Sequence, residues 1–238
     1  FNLLEIMFWI KQDRGAAPFI ASPKNYVKKI SYLQAETFRQ KDLIVSFSKE
    51  TFYQDIYFNY QVEASTHKKD AFSAIHVIHY PYEPCRKYFY VQMQADSFPQ
   101  AFKSKAVIIR EDESGYKAPY SCKWKDDHRV TFATKNFGKY YLSMDTVAPI
   151  IAAVNFYENK LFKPGQVMQF RVKDNLTGIE TYEIRIDDQW QIGYYDKKNH
   201  LIQFVVHNDL PSGEHTVSLK VTDANDNMIF FNSKFRTP

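Results

Sequence analysis

Apolar and polar residues alternate along much of this chain. Met168, Phe170 and Val172 are separated by Gln169 and Arg171. Tyr182, Ile184 and Ile186 alternate with Glu183, Arg185 and Asp187, and Val217, Leu219 and Val221 with Ser218 and Lys220. A period of two sends successive side chains to opposite faces of an extended chain, so each run predicts a strand with one buried face. Turn chemistry separates the runs at Lys163-Pro164-Gly165, Asp174-Asn175-Leu176-Thr177-Gly178, Asp196-Lys197-Lys198-Asn199, Pro211-Ser212-Gly213 and Ala224-Asn225-Asp226-Asn227. Runs near 151–156, 166–173, 180–187, 189–195, 200–206, 214–222 and 228–236 predict about seven strands and an immunoglobulin-like sandwich. The Cys…Trp…Cys signature of antibody domains is missing, so the prediction concerns architecture only.

The first half carries the same signal less regularly. Leu43, Val45 and Phe47 alternate, as do Phe89, Val91 and Met93, and Tyr140, Leu142 and Met144. Val107-Ile108-Ile109 reads as a continuous buried run. The expected fold is all-β, with two tandem β-sandwich domains, the second immunoglobulin-like. The expected division is an N-terminal segment or linker remnant at 1–35, a sandwich at 36–146 and the immunoglobulin-like sandwich at 147–238. The junction falls at Asp145–Pro149, where Pro149 fixes φ and removes a backbone donor.

Composition narrows the class. A chain of 238 residues with 45% hydrophobic content can bury a core, and 17% aromatic content favours strands. The net charge of +4 is spread along the chain. Lys68-Lys69 and Lys197-Lys198 are better explained as solvated loops than as a basic stripe, so no nucleic-acid partner is expected. Phe1–Ile10 is too short to span a bilayer and is interrupted by Glu5, and no membrane span is expected. A start at Phe1 rather than Met predicts a processed chain or a piece of a longer one.

Candidate chemistry is sparse. His76 and His79 lie three apart in a strand-like run, which puts them on opposite faces and makes a shared zinc site poor geometry. There is no His-Glu-x-x-His, no Gly-x-Ser-x-Gly and no glycine-rich phosphate loop. No catalytic residue is therefore assigned. Cys85 and Cys122 are a candidate disulfide, which at that loop length would contribute about 3.5–4 kcal/mol in the chain-entropy model; the alternative is two buried thiols. Trp190, Tyr194 and Tyr195 are a candidate sugar-stacking platform; the alternative, which is the preferred reading, packs Trp190 into the core or over a sheet edge. Asp223, Asn225, Asp226 and Asn227 are similar to the calcium-binding element of cadherin repeats, but the partner motifs of that family are missing. The same residues suit a hairpin turn, which is the preferred reading.

A wider resemblance rests on Asp145-Thr146-Val147-Ala148-Pro149, Val172 to Ile179, Ile186 to Trp190, Tyr195-Asp196, Gly213-Glu214-His215 and Val221-Thr222-Asp223. Leu43–Phe47, Ile56–Phe58, Ile75–Val77 and Phe137–Tyr140 add a looser likeness in the first half. This series resembles the C-terminal β-sandwich region of Bacteroidetes-type lysostaphin-like zinc metallopeptidases. The resemblance implies an extracytoplasmic accessory region without the peptidase domain. That family's His-x-x-x-Asp and His-x-His zinc motifs do not occur here; His67 misses the first by one residue. Zinc is then expected only in an upstream peptidase domain, and no cofactor in this chain. The implied partners are that catalytic domain or a cell-wall (peptidoglycan) component.

Overall fold

Leu43, Val45 and Phe47 turn inward while Ile44 and Ser46 stay partly exposed, and this alternation repeats through both halves of the molecule. The computed structural model describes residues 26–65, 70–126 and 128–238. Phe1–Ile10, His67 and Lys68-Lys69 lie outside the described residues. The first half contains β1 (Lys28–Ile30), β2 (Glu36–Arg39), β3 (Leu43–Phe47), β4 (Ile56–Phe58), β5 (Tyr60–Glu63), β6 (Ile75–Ile78), β7 (Phe89–Gln94), β8 (Ala106–Glu111), β9 (Lys117–Ser121), β10 (Lys123–Trp124), β11 (Arg129–Thr134) and β12 (Gly138–Met144). They form two five-stranded sheets, β10-β11-β7-β3-β2 and β5-β6-β12-β8-β9, with β1-β4 beside them. Between the sheets, Phe47, Phe52, Phe58, Phe89 and Phe137 make the centre of one core. Phe89 and Phe137 stack at 4.8 Å, and Phe47 meets Phe89 at 5.4 Å, spacings at which ring quadrupoles attract.

The chain from 28 to 30 is part of this core rather than a linker. β1 pairs antiparallel with β4, and Ile30 is fully buried. The run Lys28-Lys29-Ile30 gives no periodic warning of this, because its burial comes from a partner far along the chain.

The second half contains β13 (Ile150–Ala153), β14 (Lys160–Leu161), β15 (Val167–Lys173), β16 (Ile179–Ile186), β17 (Gln189–Gln191), β18 (Tyr194–Asp196), β19 (Leu201–Val205), β20 (Gly213–Asp223) and β21 (Met228–Thr237). The sheets are β13-β15-β19-β18 and β14-β21-β20-β16-β17. Their inner faces enclose Met168, Phe170, Val172, Ile184, Ile186, Ile202, Phe204, Val217, Leu219, Val221 and Phe235. The protein is thus all-β and built of sandwiches.

One predicted strand is two. The run 189–195 breaks at Ile192-Gly193 and passes from the edge of one sheet (β17) to the edge of the other (β18). Gly193 permits the crossing. A Cβ there would lie 2.5 Å from Ile184 Cδ1 and 3.3 Å from the Gln203 carbonyl oxygen, while Tyr182 Oη donates to the Gly193 carbonyl at 2.8 Å.

The continuous run in β8 has a physical explanation. Ile108 faces the first core, whereas Val107 and Ile109 face the other way into a small cluster with Ile75 and Tyr141. Leu176, from the β15–β16 loop of the second sandwich, packs on that cluster. Both faces of β8 are therefore buried, the outer one by Ala71 of the β5–β6 loop together with Leu176 of the neighbouring sandwich.

Candidate functional site

Three regions carry the residues singled out by the sequence. The first is the junction between the sandwiches. Asp223 ends β20 and organises the turn to β21: its Oδ1 accepts from the amides of Asn225 and Asn227, each at 2.8 Å. Asp226 adopts φ 59°, the left-handed conformation that the hairpin needs and that Asp tolerates. The turn also reaches the other sandwich. Asn225 Nδ2 donates to the Lys105 carbonyl at 2.9 Å, and Lys105 Nζ donates back to the Asn225 carbonyl at 2.7 Å. Asn227 Nδ2 donates both to Asp223 Oδ2 at 2.8 Å and to the Asp145 carbonyl at 3.0 Å.

The residues grouped as Asp223, Asn225, Asp226 and Asn227 therefore do not converge as one ligand set. Asp226 is exposed, and the amide hydrogens of Asn227 are spent on the turn and the linker. The carboxylates that do approach Asp223 are Asp145 and Asp174, which lie at the same pole of the second sandwich. The sequence carried no local signal for this. Asp145 precedes β13 and Asp174 follows β15, which pair with each other, while β16–β20 pairing sets Asp223, at the end of β20, beside the loop that follows Asp174.

The second region is the β17–β18 edge. Trp190 is 63% exposed, Ile192 68% and Tyr194 65%. Trp190 is thus outside the core and stands on β17 at the edge of its sheet, a position that the alternative reading also allowed. Tyr195 is not part of the exposed set: it turns inward and meets Tyr182 edge-on at 6.1 Å. Adjacent strand residues point to opposite faces, so Tyr194 and Tyr195 do not share one. Ile192 takes the third place. Beside it lies a depression of about 380 Å³ lined by Val167, Ile192, Gly193, Tyr194, Gln203, Val205 and His207.

The third region is the set of titratable groups within the first sandwich. Cys85 and Cys122 are separate free thiols packed against the first core, and burial pushes both up to about 12. No bridge links them, and thiols that hold their protons this strongly are poor nucleophiles. His76 and His79 are buried, and desolvation pulls each down to about 4. His76 Nδ1 meets Tyr60 Oη at 2.8 Å, and His79 Nδ1 accepts from the Asn59 amide at 3.1 Å. His79 lies beyond β6 at φ 51°, so the two imidazoles have separate environments and separate partners.

Among known protein families, residues 27–145 match the Zu5-like domain, which is half of the chain. No curated protein matches it. Solved structures similar to it include dimeric latent PorU from Porphyromonas gingivalis, at 13% identity and a TM-score of 0.34, covering 64% of this chain and 22% of that one. This chain thus spans less than a quarter of the PorU chain. The fibronectin(III)-like modules of Clostridium thermocellum CbhA match at 11% identity and a TM-score of 0.32, covering 62% and 85%. Bacteroides ovatus SGBP-B, solved with a mixed-linkage heptasaccharide, matches at 11% identity and a TM-score of 0.25, covering 100% and 70%.

Proposed function

Because the chain belongs to the Zu5-like domain family, through the sandwich that holds residues 27–145, we propose that it is a non-catalytic accessory region that binds cell-wall polysaccharide through the β17–β18 edge. The observation that carries this reading is the exposure of Trp190 and Tyr194 on edge strands, with Ile192 between them. Large exposed apolar side chains this close along the chain, where it crosses between two sheet edges, make a patch rather than a scatter. Aromatic faces stack on the apolar C–H faces of pyranose rings, and Gln203 and His207 in the adjoining depression supply polar groups that orient a sugar.

The test is co-sedimentation with insoluble peptidoglycan. Trp190→Ala should cut the bound fraction by about ten-fold, with the melting temperature unchanged because the side chain is on the surface. Equal sedimentation of wild type and variant would remove the edge as the site.

The finer reading makes the parent protein a cell-wall zinc metallopeptidase acting in the periplasm, at the cell surface or after secretion. Its support is the resemblance carried by Asp145–Pro149, Val172–Ile179 and Val221–Asp223, with no His-x-x-x-Asp or His-x-His in the sequence. The partners are then the catalytic domain and the wall. A full gene product with neither zinc motif would remove the peptidase parent and leave the polysaccharide-binding region standing.

A further inference from the structure

The junction between the sandwiches concentrates negative charge. β13 pairs antiparallel with β15 through Ile150↔Lys173, so the linker residue Asp145 arrives where Asp174 leaves. β20 pairs with β16 through Asp223↔Ile179, which brings Asp223 beside the loop that follows Asp174. One carboxylate oxygen from each of Asp145, Asp174 and Asp223 lies within 4.8 Å of the other two. Asp145 and Asp223 are each only 1% exposed.

Most of the oxygens have donors. Asp145 Oδ1 accepts from the Val147 amide at 3.2 Å and Oδ2 from Thr177 Oγ1 at 2.7 Å. Asp174 Oδ2 accepts from the amides of Leu176 and Gly178 at 2.9 and 2.8 Å. Asp174 Oδ1 is different: it is shut off from solvent and has no hydrogen-bond partner among the described residues. A buried acceptor without a donor is costly, and three carboxylates this close repel one another. Lys105 Nζ, which reaches this junction, donates to the Asn225 carbonyl.

We propose that Asp145, Asp174 and Asp223 bind a divalent cation, Ca²⁺, at the junction of the two sandwiches. The donors are all oxygen, which selects a hard cation over zinc or copper. Burial then selects among hard cations: Mg²⁺ dehydrates reluctantly and keeps several waters, whereas Ca²⁺ accepts a site made mostly of protein oxygens. Asp145 and Asp223 are almost fully buried and the three carboxylates lie within 4.8 Å of one another, which suits Ca²⁺. Asp174 Oδ1 gains the partner it lacks, and the remaining lone pairs of Asp145 and Asp223 are available beside their amide donors.

The three ligands come from three mechanically distinct pieces. Asp145 is the linker, Asp174 begins the loop whose Leu176 packs on the first sandwich, and Asp223 organises the turn that holds Lys105. An ion shared among them ties the sandwiches together, so its binding stabilises the relation between them as well as the loops.

The test uses the full chain, stripped with a chelator and titrated with CaCl₂ or MgCl₂ by calorimetry and thermal melting. The expected result is one Ca²⁺ per chain, a melting temperature raised by about 5–10 °C at a hundred times Kd, and at least about ten-fold weaker Mg²⁺ binding. Asp174→Asn keeps the shape and removes one repelling charge. The metal-free variant should melt at or above the metal-free wild type, with Ca²⁺ affinity reduced by about ten-fold or more. No heat and no shift at about 10 mM Ca²⁺, well above the Kd of weak extracellular sites, would overturn the proposal. Unchanged affinity in D174N would overturn the ligand set, and equal Mg²⁺ affinity would overturn the identity of the ion.

Discussion

Asn227 Nδ2 donates to the carbonyl oxygen of Asp145 at 3.0 Å, joining residues 82 positions apart. The same nitrogen donates to Asp223 Oδ2 at 2.8 Å. One buried amide group thus closes the β20–β21 turn and fastens the linker between sandwiches. Asn227→Ala leaves both acceptors without this donor, at a cost of about 1–3 kcal/mol. Urea unfolding monitored by intrinsic fluorescence should show the midpoint falling by the corresponding amount. Asn225→Ala, at a half-buried position, should cost less.

The first sandwich should weaken in mild acid. His76 and His79 fold as neutral imidazoles, with burial lowering each from 6.5 to about 4. Below pH 6.5 the unfolded chain takes up protons that the folded chain refuses. Stability is therefore complete above pH 6.5 and declines as pH falls toward 4, by about 3 kcal/mol for each histidine. Urea midpoints measured between pH 7 and 4 check this, and His76→Phe should remove about half of the decline.

A third histidine should act with the opposite sign. His215 Nδ1 donates to Asp187 Oδ2 at 2.6 Å, and Nε2 faces the Pro211 carbonyl at 2.8 Å. Both partners are acceptors, which favours the imidazolium ion. Desolvation pulls the His215 pKa down, but the hydrogen bonds to Asp187 and Pro211 prevail and hold it above 6.5. The stabilisation is complete below pH 6.5 and is lost as pH rises through the raised value. Its size is modest, because the Asp187 side chain is 48% exposed. A proton NMR titration should place the His215 transition above those of His76 and His79, and Asp187→Asn should lower it.

Gly193→Ala should disturb the exposed edge without touching its aromatic rings. The added Cβ meets Ile184 in the core and the Gln203 backbone. The expected loss is about 1–3 kcal/mol, read as a lower urea midpoint, with displaced NMR resonances for Tyr182 and Trp190.

Much of this architecture was legible in the pattern of residues. Met168-Phe170-Val172 and Val217-Leu219-Val221 face one core because each strand has one wet side, which leaves its mark as alternation. Val107-Ile108-Ile109 breaks the alternation because Ala71 and, from the second sandwich, Leu176 cover its outer face. β1 and the two-residue β14 left little trace, since each depends on a remote partner, β4 and the parallel β21. The gathering of Asp145, Asp174 and Asp223 was hidden for the same reason: each reads locally as a turn residue, and only strand pairing brings them together. The exposed edge was half legible. Trp190 and Tyr194 stood out by composition, whereas the crossing at Gly193 that turns Tyr195 inward depends on a contact with Ile184.

The most direct test of the account is the fluorescence of Trp190 during titration with soluble peptidoglycan glycan strands. An indole that is 63% exposed should shift to shorter wavelength when a sugar ring covers it. The account predicts a saturable blue shift in the wild type that disappears in Trp190→Phe, whose emission comes from the remaining tryptophans. A wild-type spectrum that stays fixed while the chain still co-sediments with the wall would contradict it, because binding would then bypass the β17–β18 edge.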